Sequence, residues 1–232
     1  MDPQRATKIL AFLTEEGLFE SEDLWVARAP ALRGMLRVHD DDYIESLQRH
    51  EVVERIFGAP MTDEELERVV EMQRVAVGGT IQAARLAIQR RSIAVNLGGG
   101  QHHATRDAGM GFCLFNDIAV AISRLRNRGF RDPIVVVDLD VHDGNGTRAI
   151  FAQDPSVHTY SIHNKDWAGN DAVASTSIAL GDDVGDEVYL GTLLKTLPEV
   201  FDGTRAGLVI YLAGTDTAED DTLGNWHISP HA

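Results

Sequence analysis

One cysteine, Cys113, stands in the whole 232-residue sequence. A lone thiol excludes an internal disulfide framework and fits a reducing, cytoplasmic setting. Long apolar runs are missing too, since none approaches the roughly 18 residues that a membrane helix needs. The opening Met1-Asp2-Pro3-Gln4-Arg5 lacks the basic-then-apolar order of a secretory signal. Positive charge is scarce: 21 Lys and Arg face 36 Asp and Glu, for a formal net charge of -15. Such a chain repels phosphate backbones, so direct nucleic-acid binding is not expected. It modestly attracts cationic partners such as lysine-rich tails or polyamines, although an acidic surface also serves solubility alone. Repeats, low-complexity tracts and long linkers are absent as well. With 44% hydrophobic residues, the chain reads as one domain, 1–232, around one sizeable core.

What is present falls into two halves. The first reads as helical. Asp2-Pro3 opens a helix that Gly17 stops, with Ile9, Leu10, Phe12 and Leu13 on its apolar side. Residues 41–50 read as a second helix, with Tyr43, Ile44 and Leu47 on one face. Thr62-Asp63-Glu64-Glu65 is a capping box that opens a long helix towards Arg91, with Gly78-Gly79 as a point of bending or breakage. The second half alternates. Residues 92–97, 134–137 and 157–162 are short and largely apolar and read as buried strands, and 208–212 reads as another apolar strand. Residues 116–128 and 187–201 read as helices. This alternation implies a largely parallel sheet with helices on both faces, an α/β three-layer domain. Ligand sites in such folds lie beyond the carboxyl ends of the strands, where the polar clusters of this chain stand.

The strongest of these clusters is Val137-Asp138-Leu139-Asp140-Val141-His142-Asp143-Gly144-Asn145-Gly146. In extended backbone Asp138, Asp140 and His142 point to one side. Three ionisable groups at an apolar strand end need a cation or mutual partners to offset their desolvation. A metal held by Asp140 and His142 fits, and a loop-stabilising cluster is the alternative. Asp216, in Leu212-Ala213-Gly214-Thr215-Asp216, stands past another apolar strand and can reach the same edge. Two aspartates and one histidine leave an open coordination position, as in catalytic metal sites; a helix cap is the other reading of Asp216. In Gly98-Gly99-Gly100-Gln101-His102-His103-Ala104, two adjacent histidines follow a glycine turn. Such a pair can move a proton near neutral pH, or bind metal, or simply be exposed. Gly109 to Asp117 reads as a tight turn into a helix, with Phe112 and Cys113 as core residues or pocket walls.

Taken in order, GGGQHHA, GMGFCLFNDIAVAI, VVVDLDVHDGNGT, YSIH and AGTDTAEDDTLG resemble the zinc-dependent histone deacetylase family. The likeness runs from the Asp2-Pro3 helix and Val38-His39 to Leu223-Gly224 and looks closest to the bacterial members and the class IV branch. It implies the arginase-deacetylase fold and one zinc ion on Asp140, His142 and Asp216. It also implies His103 as general base and acid, His102 as its electrostatic partner, Asp138 orienting His102, and Asn145 orienting His103. Phe112 would line an acyl-lysine channel, and the Gly111 carbonyl would accept the substrate amide hydrogen. A potassium ion is implied at Asp138, Asp140, His142 and Ser161. Arginases and agmatinases share the broad fold but hold two manganese ions through a further aspartate, and that position is Gly144 here.

The resemblance also implies a first strand ahead of the Asp2-Pro3 helix and a catalytic tyrosine in a Gly-rich loop well after Asp216. Neither is in this sequence, whose tyrosines are Tyr43, Tyr160, Tyr189 and Tyr211. The expected activity is zinc-dependent hydrolysis of acylated amines, from acetyl-lysine in proteins or a small acetylated amine. The alternatives are a weak or inactive acyl-lysine-binding module in the absence of that tyrosine, and an acetylpolyamine or other small-amide amidohydrolase.

Overall fold

The computed structural model describes residues 5–169 and 171–232. Helix α1 spans Arg5–Glu15 and ends ahead of Gly17, whose φ is +62°; the Asp2-Pro3 start lies outside the described residues. The expected helix over 41–50 is two. α2 (Asp41–Ser46) stops, and α3 (His50–Phe57) starts afresh and closes on left-handed Gly58. α3 carries its own apolar face, Val52, Val53 and Ile56, onto the same core.

Helix α4 (Asp63–Arg90) is one unbroken rod of 28 residues. Thr62 Oγ1 accepts from the Glu65 N–H, and Glu65 reaches back to the Thr62 N–H at 2.8 Å, so two otherwise orphaned donors are satisfied. It runs unbroken through Gly78 and Gly79. They permit close approach instead: a Cβ on Gly78 would lie 2.0 Å from the Arg28 carbonyl oxygen, and one on Gly79 2.4 Å from Asn96 Oδ1.

The sheet is parallel throughout. β1 (Ile134–Asp138), β2 (Val157–His163), β3 (Ser175–Ala179) and β4 (Leu208–Leu212) lie in the order β3-β2-β1-β4. Helix α5 (Asp117–Asn127) precedes β1, α6 (Asn145–Ile150) lies between β1 and β2, and α7 (Asp186–Gly203) between β3 and β4. α5 places Ile118, Ile122 and Leu125 against Ile134, Val136, Leu208 and Leu212 on one face. α7 places Tyr189 and Val200 near Val135, Val137, Tyr160 and Ile162 on the other. The result is the expected three-layer α/β arrangement. None of the helices among the described residues is long and apolar enough to cross a membrane.

Residues 92–97 correct the expectation of a buried strand. They pair with no strand among the described residues, and Ile93 is 93% exposed and Val95 75% exposed. A β-strand needs a neighbour for its backbone N–H and C=O groups. Here the segment is tied down by a side chain, Asn96, whose amide donates to the Ala76 carbonyl and to Thr80 Oγ1 on α4. The register Asp138–Ser161 and Asp138–Leu212 brings the carboxyl ends of β2, β1 and β4 level. Every segment that follows those strands therefore opens at one edge of the sheet.

Candidate metal centre

Beyond β1 the chain leaves the sheet with its carboxylates turned inward. Asp138 is buried; its Oδ1 accepts from the Asp140 N–H at 3.2 Å, and its Oδ2 lies 2.6 Å from His102 Nδ1. Asp140, His142 and Asp216 then converge, with one ligand atom from each within 4.8 Å of the others. His142 Nδ1 is 3.0 Å from Asp140 Oδ1 and 2.8 Å from Asp216 Oδ2. Asp216 is held by the Val141 N–H at 3.0 Å. Close packing requires glycine behind this group: a Cβ on Gly214 would lie 2.4 Å from the Asp140 Cα, and one on Gly224 1.6 Å from the Asp216 carbonyl oxygen.

The histidine pair arrives from the loop before α5, and the start of that helix stitches it in place. Asp117 accepts from the backbone N–H groups of Gly100 and Gln101. The Asn116 amide donates to the carbonyls of His102 and Ala104 and to Thr147 Oγ1. The rings of His102 and His103 lie 4.1 Å apart. His103 Nδ1 is 2.8 Å from Asn145 Oδ1. Gly146 packs on the His103 carbonyl, where a Cβ would lie 2.4 Å away.

Electrostatics divide the pair. Burial pulls His102 down, but Asp138, Asp140 and Asp216 outweigh it and raise its pKa to about 9. Burial and then the neighbouring His102 lower His103 to about 4, and the Asn145 hydrogen bond offsets only part of this. At neutral pH one ring is charged and fixed, and the other is neutral. Hydrogen bonds to Asp140 and Asp216 raise His142 to about 9, the mark of a position that favours positive charge. Two carboxylates and an imidazole are a donor set suited to zinc, and three protein ligands leave a coordination position open for substrate. The residues present fit such an ion.

Gly111 and Phe112 stand beside His103. Both adopt left-handed backbone, φ +54° and +64°. A Cβ on Gly111 would lie 2.3 Å from His103 Cδ2, so the turn presses directly on that ring. The Gly111 carbonyl accepts from the Cys113 thiol at 3.3 Å, and Gln73 donates to the Phe112 carbonyl. The Phe112 ring is partly exposed against Phe57. Ser161 lies across the sheet from Asp138, with its hydroxyl 2.9 Å from His163 Nδ1.

All nine expected site residues thus lie at one sheet edge. Sequence reasoning missed Trp167, whose indole stacks on His103 with centroids 4.3 Å apart and planes 5° from parallel, and meets His142 edge-on at 5.6 Å. The only signal for it was an aromatic residue shortly after Tyr160-Ser161-Ile162-His163. Gln73, Asn116 and Asp117 also went unassigned, because each acts through backbone groups of a loop whose path the sequence does not reveal.

A family model described as histone deacetylase domain matches residues 1–232. Histone deacetylase 2 of Arabidopsis thaliana is 33% identical over 241 residues, covering 99% of this chain and 61% of that protein. An uncharacterized protein of Picosynechococcus is 34% identical over 216 residues, covering 91% of this chain and 70% of its own length. Among solved structures, an HDAC homolog from Aquifex aeolicus has a TM-score of 0.80 at 25% identity, covering 94% of this chain and 64% of that one. An HDAC homolog complexed with SAHA has a TM-score of 0.81 at 25% identity, with 95% and 64% covered.

Proposed function

Since this chain belongs to the histone deacetylase family, we propose that it hydrolyses acylated amines with one zinc ion held by Asp140, His142 and Asp216. Bound there, that ion would supply Lewis-acid chemistry, the kind that polarises an amide carbonyl and lowers the pKa of a water. The observation that carries the reading is the gathering of three ligand atoms within 4.8 Å beside the His102–His103 pair, whose rings lie 4.1 Å apart.

His103 is the general base. Its Nδ1–H donates to Asn145 Oδ1, which leaves Nε2 to take the proton of the attacking water and return it to the departing amine. Its lowered pKa keeps it neutral and ready at pH 7. His102, held by Asp138, is the electrostatic partner of His103 and stabilises negative charge that develops on the substrate oxygen. The Gly111 carbonyl accepts the substrate amide N–H, and Phe112 flanks the acyl chain. The products are a carboxylic acid and a free amine. Asp138, Asp140, His142 and Ser161 are the groups assigned to a potassium ion in the same reading.

Acetyl-lysine peptides are the expected substrates. The net charge of -15 also suits acetylated polyamines, and a panel of both separates the two. The test is acetate release by the zinc-loaded chain beside its Asp140→Ala variant. Release that needs both zinc and Asp140 supports the hydrolase. Folded, zinc-loaded protein that releases nothing from either substrate class overturns it and favours an acyl-binding module.

A further inference from the structure

One buried ion pair beside this centre takes no part in the chemistry proposed above. Asp143, which directly follows His142, is fully buried, and its two carboxylate oxygens accept from Nη1 and Nη2 of Arg148 at 2.5 and 2.6 Å. Asp143, His163 and Asp166 also offer ligand atoms within 4.8 Å of one another, a grouping that elsewhere would point to a second metal. Here the planar guanidinium already faces both oxygens of Asp143 in a two-pronged contact, so the cation of this cluster is Arg148. Taking both charges out of water costs about as much as their attraction returns, so such a pair adds little to stability. Its effect is fixed geometry.

What it fixes is the loop after β2. Asp143 Oδ2 also accepts the Trp167 backbone N–H at 3.0 Å, and Arg148 Nη2 donates to the Ala168 carbonyl at 3.4 Å. The pair therefore grips the chain on both sides of the Trp167–Ala168 peptide group. Nη1 of Arg148 is tied in addition to Ser177 Oγ on β3 at 3.2 Å, so the grip is anchored to the sheet. The indole delivered by this loop lies flat on His103 and edge-on to His142. Any group within reach of both rings has the indole beside it.

We infer that Arg148 is a positioning residue: through Asp143 it seats Trp167 as a fixed wall over His103 and His142, and this wall sets which acyl groups fit. The inference rests on the hydrolase reading for its substrate. With the indole immobile, a short acyl group fits beside it and a longer one meets it. With the indole loose, the discrimination is lost.

The test uses Asp143→Asn combined with Arg148→Gln, which keeps hydrogen-bonding amides and leaves no lone buried charge. Two quantities are read: the ratio of kcat/KM for acetyl-lysine over butyryl-lysine peptides, and acrylamide quenching of Trp167 emission, taken as the difference from a matched Trp167→Phe protein. The expected result is a fall in the ratio of roughly fivefold or more, with more efficient quenching. Trp167→Ala alone should give the same fall, and adding the paired change to it no further fall, because both remove one device. A folded paired variant with unchanged ratio and quenching overturns the inference, as do falls that multiply in the combination. If the paired variant does not fold, Arg148→Lys, which keeps the charge and loses the fork, carries the same test. Failure of the hydrolase reading is distinguishable: the unmodified chain then releases no acid from either peptide, while quenching alone still decides whether Arg148 positions Trp167.

Discussion

His39 is wholly buried, with both ring nitrogens engaged: Nδ1–H donates to the Thr105 carbonyl at 2.7 Å, and Nε2 accepts the Asn116 N–H at 3.0 Å. A proton on Nε2 would abolish the second bond, and burial lowers the pKa from 6.5 to about 4. The folded pKa lies below the unfolded one, so the stabilisation is full above pH 6.5 and is lost as pH falls through 4. The shift corresponds to about 3 kcal/mol. Urea midpoints taken at pH 7 and pH 4.5 should therefore drop, and drop less in His39→Gln, whose side chain does not titrate. Equal drops in both proteins would assign the acid sensitivity elsewhere. A second prediction concerns the base. Asn145→Asp places a negative charge 2.8 Å from His103 Nδ1 and must raise a pKa now lowered to about 4, so the acidic limb of the kcat/KM profile should move to higher pH. At this scale Asp138, Asp140, His142 and Asp216 were legible because they stand at or just past the ends of β1 and β4, parallel strands whose register carries such positions to one edge. His102 and His103 instead follow a segment that is no strand, and Asn116 and Asp117 bring them there. Trp167 was not legible, because its place depends on Asp143 and Arg148, which lie far from it in sequence.

Among the elements, glycines show where local propensity loses to packing. Alanine is favoured over glycine inside a helix by about 1 kcal/mol. At Gly78 in α4 a Cβ would meet the Arg28 carbonyl oxygen at 2.0 Å, a backbone atom that cannot turn aside. Gly78→Ala should therefore destabilise the fold by roughly 1–3 kcal/mol despite its propensity. At Gly191 in α7 nothing lies within 4 Å of a Cβ, and Gly191→Ala should stabilise by roughly 0.5–1 kcal/mol. Thermal melts read both, since each kcal/mol moves Tm by about 2–4 °C in a domain of this size. Shifts of the same sign would refute the packing argument. The contrast also explains what the sequence could reveal of the elements. Capping at Thr62 and the period of apolar residues marked α4 and α5 because those signals are local. The glycine pair, which reads in the sequence as a point of bending or breakage, does not break α4; it makes room for the 28–29 backbone and for Asn96, which only the tertiary structure brings near. β3 was not foreseen, since Ser175–Ala179 is polar and becomes a strand by pairing with β2.

Across the whole molecule, two opposed surface terms decide how copies of this 232-residue chain meet. The net charge of -15 keeps them apart. β4 pulls the other way: it is the outermost strand on its side of the sheet among the described residues, and Val209 is 45% and Tyr211 60% exposed. Ile93 and Val95, read from the sequence as a buried strand, add further open apolar surface. Of the run 208–212, only Leu208 and Leu212 are buried among the described residues. An open, apolar edge is a template for pairing with another chain. Repulsion between surface charges is screened over about 10 Å at 0.1 M salt, whereas burial of apolar area is not. Self-association of this chain should therefore increase as salt rises from low to moderate ionic strength, read as sedimentation coefficient against concentration. Tyr211→Lys together with Val209→Lys should hold the chain monomeric under the same conditions by placing charge on the open strand. A chain that stays monomeric at every salt concentration, or a variant pair that associates as strongly as its parent, would show that this edge does not govern its association.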